Sequence, residues 1–484
     1  MVLENIDYKK IFYYFEEISN IPRGSKNCQA ISDYLVGFAK EHGLTYRQDE
    51  ALNVIIKKPA SAGYESCPPL ILQGHMDMVC EKKSESSHDF FKDPLQLYVE
   101  EDYLAAKDTT LGGDDGAAVA YALAILDDDT LVHPPLEVVI TTDEEIGLLG
   151  ATALDTFDLE GRHMINIDSE DDDTLLVSCA GGMTAHCRIP VTTQKKTGKR
   201  LTVTIKGLLG GHSGSEIDKN RVNADILLGR LLYDLKKQPY EIISLMGGTK
   251  QNAIPREATA ELLAAEADVY TILNEIKFLA EKYKNECRTN EPDLTILTTQ
   301  GEEREYSCLD EDSKQRIICM LMNTPNGIQV MSSDIPGLVE SSLNLGVLSE
   351  ENGEYCFDYG VRSSQATYKF YMSNKLETLT NQLGGTYSYD GEYPGWEYKK
   401  DSRLREIYTK AYQELYGSVM KIEAIHAGLE CGILAEKMGD VDIISVGPNM
   451  KDIHTTEERL SISSTKRLYD LICKVLKDFA EAMK

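Results

Sequence analysis

Four apolar runs of strand length, at residues 70–72, 136–140, 164–167 and 441–446, constrain most strongly how this chain can fold. The first three fall in its N-terminal part and the fourth close to its other end. Helical patterns separate them: amphipathic stripes at 9–18 and 28–42, and an Ala-rich segment at 116–126. Strands alternating with covering helices predict an α/β sheet. A further short strand is expected at 53–57. After Trp396 the same texture returns, with helices expected at 401–416, 428–438 and 465–483 around the strand at 441–446.

Between the two ends the pattern changes. Strands are expected at 201–205, 294–298 and within 343–361, with helices at 221–237, 268–287, 312–323 and near 375–383. A chain of 484 residues is too long for a single hydrophobic core. The economical architecture is therefore α/β, with residues 1–183 and 395–484 forming one discontinuous domain. Residues 184–394 form an inserted α+β domain. Helix and strand material recurs on both sides of Gly301, which suggests two similar halves in the insert.

Composition narrows the function. The formal net charge of −29 opposes binding to nucleic acid or to an anionic membrane surface. No run approaches the roughly 20 apolar residues that cross a bilayer. Residues 1–20 mix acids into an amphipathic pattern, unlike a secretory signal. The 11 cysteines are dispersed, with no CxxC pair, as expected for reduced thiols in the cytoplasm.

Five short segments carry the candidate chemistry: Gly74-His75-Met76-Asp77, Gly112-Gly113-Asp114-Asp115-Gly116, Asp143-Glu144-Glu145, Asn166-Ile167-Asp168 and Asp452-Ile453-His454. Four follow an expected strand, directly or after a short loop, and the other precedes the Ala-rich helix. Each alone is commonplace in surface loops. Together they place two imidazoles and several carboxylates where an open α/β sheet collects ligands, beyond the carboxyl ends of its strands. That donor set suits zinc or manganese and exceeds one four-coordinate structural site. Two cations about 3.5–4 Å apart, sharing a carboxylate and a water, would use it all. Asp77 lies two residues beyond His75, on the same side of a strand, where it can accept the second imidazole N–H. Asp143-Glu144-Glu145 offers adjacent acids in a tight turn, one for a metal and one as a free base, as amide hydrolysis needs.

The motifs GHMDMV, LGGDDGAA, TTDEEIGLLGA, INIDSED, GLLGGHSG and KDIHTTEE resemble those of the M20 metallopeptidase clan. HAGLECGIL and VRSS are similar to its aminoacyl-histidine dipeptidase branch, also called peptidase D or Xaa-His dipeptidase. The resemblance implies a zinc-peptidase-like catalytic domain with an inserted lid, and two Zn2+ per chain for which Mn2+ or Co2+ can substitute. It implies that His75 and Asp168 hold one ion, Glu145 and His454 the other, and that Asp114 bridges them. Asp77 then orients His75, and Glu144 is the general base. A cis peptide after Asp114 is implied too; Asp115 stands where the branch often carries Asn. In the insert, His212 resembles a histidine that reaches the scissile carbonyl, while Asn252 and Arg362 resemble residues that hold the substrate carboxylate. Gly428 matches a position lining the cleft. A dipeptide substrate is implied, because a closing lid limits substrate length. Other amide hydrolases of the clan, such as N-acyl amino acid deacylases and tripeptidases, share these motifs. A non-catalytic binding protein on the same fold is the alternative from another class, and a homodimer is left open.

Overall fold

The computed structural model describes residues 2–484, which form two compact units. Unit 1 takes in the chain up to Ser178, together with Trp396–Ala424 and Leu429–Lys484; unit 2 comprises Cys179–Gly395 and Ile425–Gly428. The break thus falls at Ser178 rather than at residue 183. The reason is local: the strand Gly181–Pro190 pairs with Glu354–Ser363 and Thr386–Tyr393, all in unit 2. Ile425–Gly428 belongs there too, because Ala180 donates its N–H to the carbonyls of Ile425 and Ala427. Gly428 therefore lies in unit 2, outside the segment expected for it.

Unit 1 is built on an eight-stranded sheet. Its central strands Leu136–Thr141, Leu70–His75, His163–Asn166 and Asp442–Ser445 run parallel in that order. They are almost wholly buried, as parallel strands covered on both faces must be. Val54–Lys58 and Thr45–Gln48 close one side as an antiparallel hairpin. The Ala-rich run Gly113–Asp127 is buried nearly throughout, and small side chains let it pack closely between the helix Ile11–Ser19 and the sheet. Because the parallel strands share a direction, His75, the 143–145 turn and Asp168 all emerge at one edge of the sheet. A separate four-stranded sheet, ordered Met450–Lys451, Arg459–Ser461, Tyr103–Ala106 and Leu97–Glu100, presents the loop 452–458 that carries His454.

Unit 2 is built on a nine-stranded sheet, antiparallel at every assigned pairing, with the helices Ala224–Asp234, Glu266–Cys287, Glu311–Asn323 and Ala366–Gln382 sharing its core, and a separate two-stranded pair of Gly211–His212 with Ala253–Ile254. Alternation from Met183 to Pro190 buries Met183, Ala185, Cys187 and Ile189, the two-residue period of a sheet covered on one face. No helix among the described residues is long and apolar enough to cross a membrane.

Candidate metal centre

In unit 1 the five segments converge. Asp114 stands in the middle: its Oδ1 is 3.1 Å from Nε2 of His75, and its Oδ2 is 3.1 Å from Nε2 of His454. Asp168 Oδ1 lies 3.7 Å from the same His75 nitrogen, and Glu145 Oε2 lies 3.1 Å from the same His454 nitrogen. Two donor sets can be drawn from these pairs, His75–Asp114–Asp168 and His454–Asp114–Glu145, with Asp114 common to both, and Glu145 also comes within 4.8 Å of His75 and Asp114. Glu145 Oε1 is buried without a hydrogen-bond partner. A buried, unpaired carboxylate oxygen beside an imidazole is costly unless a cation satisfies it.

Asp115 also comes within chelating distance of His75 and Asp168. Its oxygens, however, accept the backbone N–H groups of His75 (3.1 Å) and Ala118 (3.2 Å). Asp114, with both oxygens turned to imidazoles, is the carboxylate suited to bridge. The Asp114–Asp115 peptide is cis, as the resemblance implied.

Asp77 is fully buried and bonded on every side. Its Oδ1 lies 3.3 Å from Nδ1 of His75, which also lies 3.2 Å from the Asp77 carbonyl. Its carboxylate accepts the N–H of Glu144 (3.0 Å) and of Glu145 (3.4 Å), and the hydroxyl of Ser25 (2.8 Å). Asp77 therefore fixes both the His75 ring and the acidic turn. Asp143, at positive φ, anchors that turn by accepting the N–H of Lys26 at 2.6 Å.

The electrostatics are those of a cation site. Burial opposes charge on His75, but its bonds to Asp114 and Asp77 and the charge of Asp168 push its imidazole well above the usual range. Bonds to Asp114 and Glu145 raise His454 to about 10. Burial likewise disfavours charge on Asp114, yet its bonds to the two imidazoles hold its carboxyl below the usual range. Burial raises Asp168, and burial with the nearby Glu430, Glu145 and Asp114 raises Glu144 to about 8, against the pull of His75. Crowded carboxylates thus demand positive charge beside both imidazoles, a demand that divalent cations meet. The mixed nitrogen and oxygen donors fit such ions.

Beneath the centre lies a polar network that sequence reasoning missed. Gln73 Nε2 and Thr141 Oγ1 each donate to Glu430 Oε2 at 2.5 Å, and Asn166 Nδ2 donates to Gln73 Oε1 at 2.6 Å. The network ties together the ends of three parallel strands. Gln73 was detectable in principle, since it sits two residues before His75 on the same side of its strand.

Unit 2 carries the other expected residues. His212 Nδ1 accepts the N–H groups of Gly214 (3.2 Å) and Ser215 (3.1 Å). Burial and the charge of Arg362 lower its pKa, so the ring is neutral. Its proton is thereby assigned to Nε2, which makes that atom a donor. Arg362 donates to the Tyr393 hydroxyl at 3.1 Å, has no carboxylate partner among the described residues, and leaves its Nε buried and unpaired. The Asn252 side chain is exposed, while its carbonyl accepts the N–H of Ser213 at 2.8 Å. Gly428 faces the Tyr393 ring, where an added Cβ would lie 2.8 Å from Cε2.

Comparison with known proteins places the chain among the peptidases. Residues 71–478 match the model of peptidase family M20/M25/M40. The chain is 35% identical over 480 residues to the cytosol non-specific dipeptidase of Escherichia coli (strain K12), covering 98% of this chain and 99% of that protein. The crystal structure of aminoacylhistidine dipeptidase from Vibrio alginolyticus superposes with a TM-score of 0.93 at 33% identity, covering 98% of this chain and 96% of that one. A tripeptidase from Staphylococcus aureus, 18% identical over 98% of each chain, shares the fold with a TM-score of 0.55. The chain belongs to peptidase family M20/M25/M40 and is a peptide hydrolase.

Proposed function

We propose that this enzyme is a dinuclear metal-dependent dipeptidase that acts on Xaa-His and related dipeptides. The observation that carries the proposal is the Asp114 carboxylate, with one oxygen 3.1 Å from each of two histidines, each flanked by a further acid. Two zinc ions, or manganese or cobalt, held by His75, Asp168, Asp114, Glu145 and His454 would lower the pKa of a shared water and polarise the peptide carbonyl. Glu144 takes the proton from the attacking water and returns it to the departing amine. Asp77 holds His75 in one tautomer and orientation. His212 offers its Nε2–H to the carbonyl oxygen as negative charge develops there. Arg362, whose guanidinium donates to the Tyr393 hydroxyl, pairs with the substrate's terminal carboxylate, assisted by Asn252. Gly428 leaves room beside Tyr393.

A dipeptide substrate is supported by the two relatives aligned over nearly the whole chain, one named a non-specific dipeptidase and the other an aminoacylhistidine dipeptidase. The E. coli relative's name places that protein in the cytosol, and we assign the same location here. The test is metal-loaded protein assayed on β-Ala-His, Leu-His, a tripeptide and an N-acetyl amino acid. Hydrolysis of the dipeptides alone is expected. Turnover confined to the N-acetyl amino acid or to the tripeptide would overturn the proposal.

A further inference from the structure

Two charged side chains outside the chelating set are buried around the loop that carries Asp114. Glu458, 3% exposed, directs both oxygens at four consecutive backbone N–H groups. Oε2 accepts from Leu111 (2.7 Å) and Gly112 (3.0 Å), and Oε1 from Gly113 (2.7 Å) and Asp114 (3.4 Å). Arg23, 2% exposed, binds the carbonyl side of the same loop: Nη2 donates to the Gly112 carbonyl, and Nη1 to those of Met76 (3.0 Å) and Asp77 (3.4 Å).

This clasp explains two glycines of the motif. A Cβ on Gly112 or on Gly116 would lie 2.5 Å from Arg23 Nη2, and Gly112 also sits at φ +66°. Glu458 further shares a short loop with His454, between the strands Met450–Lys451 and Arg459–Ser461. One carboxylate thus joins the backbone of Asp114 to the segment bearing His454, the pair whose side chains meet at 3.1 Å. Arg23 in turn joins the Asp114 loop to the backbone of Asp77, which orients His75 and the acidic turn. Burying either charge costs several kcal/mol; both Glu458 oxygens and both terminal nitrogens of Arg23 are bonded, while Arg23 Nε has no hydrogen-bond partner. Capping a helix could be done by an exposed Ser or Asp at far lower cost.

We propose that Glu458 and Arg23 are positioning residues of the two-metal centre: Glu458 sets the spacing of Asp114 and His454, and Arg23 fixes that loop to the His75–Asp77 strand end. The proposal rests on the two-metal reading above. It is tested by zinc affinity in chelator competition and by the visible spectrum of the Co2+-loaded protein, well below the melting temperature. Glu458→Gln, which turns amide hydrogens toward the loop N–H groups, is expected to weaken metal binding by about 10- to 100-fold and to shift the Co2+ bands. Leu476→Ala, a cavity beneath the C-terminal helix Ile462–Met483, where Leu476 is buried, controls for lost stability and is expected to leave affinity and spectrum as in the parent.

Should Glu458→Gln fail to fold, Gly113→Ala answers the same question. Its Cβ would lie 3.3 Å from both Glu458 Oε1 and Met450 Sδ, so it presses on the carboxylate by a few tenths of an ångström without removing it. Weaker zinc binding supports the proposal. Parental affinity and spectrum in whichever variant folds would overturn it and leave the two-metal reading standing. A parent protein that binds fewer than two ions would instead defeat that reading.

Discussion

Nε2 of His454 lies 3.1 Å from Oδ2 of Asp114, although 340 residues separate them in the chain. The other oxygen of that carboxylate lies equally close to His75, so a single side chain spans two imidazoles. The rest of the centre is arranged about this relationship.

Glu144 belongs to neither donor set, and its backbone is held by Asp77. Glu144→Ala is expected to leave metal stoichiometry unchanged while kcat falls by roughly 10²–10⁴-fold, the usual contribution of a general base. Metal analysis beside steady-state kinetics checks both halves; a variant with near-parental kcat would remove Glu144 from this role.

His212 is neutral and fixed as an Nε2–H donor by two backbone N–H groups on Nδ1. His212→Ala is expected to lower kcat by about 10²–10³-fold, as loss of one oxyanion donor does. Metal content stays that of the parent, since His212 lies outside both donor sets. An effect on KM alone would count against the assignment.

Arg362→Ala should raise KM for a dipeptide by roughly 10- to 100-fold, in line with the ~1.5–3 kcal/mol of hydrogen bonds to a charged group. The sharper readout is discrimination. The parent should prefer a dipeptide over its C-terminal amide, and the variant should not. Retained preference would place the carboxylate elsewhere.

Asp225, at the start of the helix Ala224–Asp234, is buried, and neither carboxyl oxygen has a hydrogen-bond partner. Burial raises its pKa well above the usual carboxyl value. Below the unfolded-state pKa, both states hold the proton and no ionisation cost arises, leaving only that of the unpaired neutral carboxyl. As pH rises past it, only the unfolded chain releases the proton, so stability falls toward neutrality. Removing an unpaired buried polar group relieves about 1–3 kcal/mol. Asp225→Ala should therefore melt above the parent at pH 8, with the advantage shrinking by pH 4. Calorimetry showing a pH-independent difference would refute it.

Much of the centre was legible in the sequence, because His75, the Asp143–Glu145 turn and Asp168 each follow an apolar run of strand length that the structure makes a buried strand. Arg23 and Glu458 were not, since one letter cannot distinguish a buried charge from a solvated one. The long edge strand Thr295–Leu309 was also only half visible. It carries Glu302, Glu303, Arg304 and Glu305 in succession, charges that an exposed edge tolerates but that break the apolar alternation. The unit boundary escaped for a related reason: the strand Gly181–Pro190 opens on two glycines, whose membership in a sheet is decided by distant partners.

The most direct test is anomalous diffraction at the zinc edge from crystals of metal-loaded protein. Two peaks about 3.5–4 Å apart are predicted. Asp114 should contact both, with His75 and Asp168 completing one set and Glu145 and His454 the other. A single peak, or two peaks that do not share Asp114, would contradict the dinuclear centre.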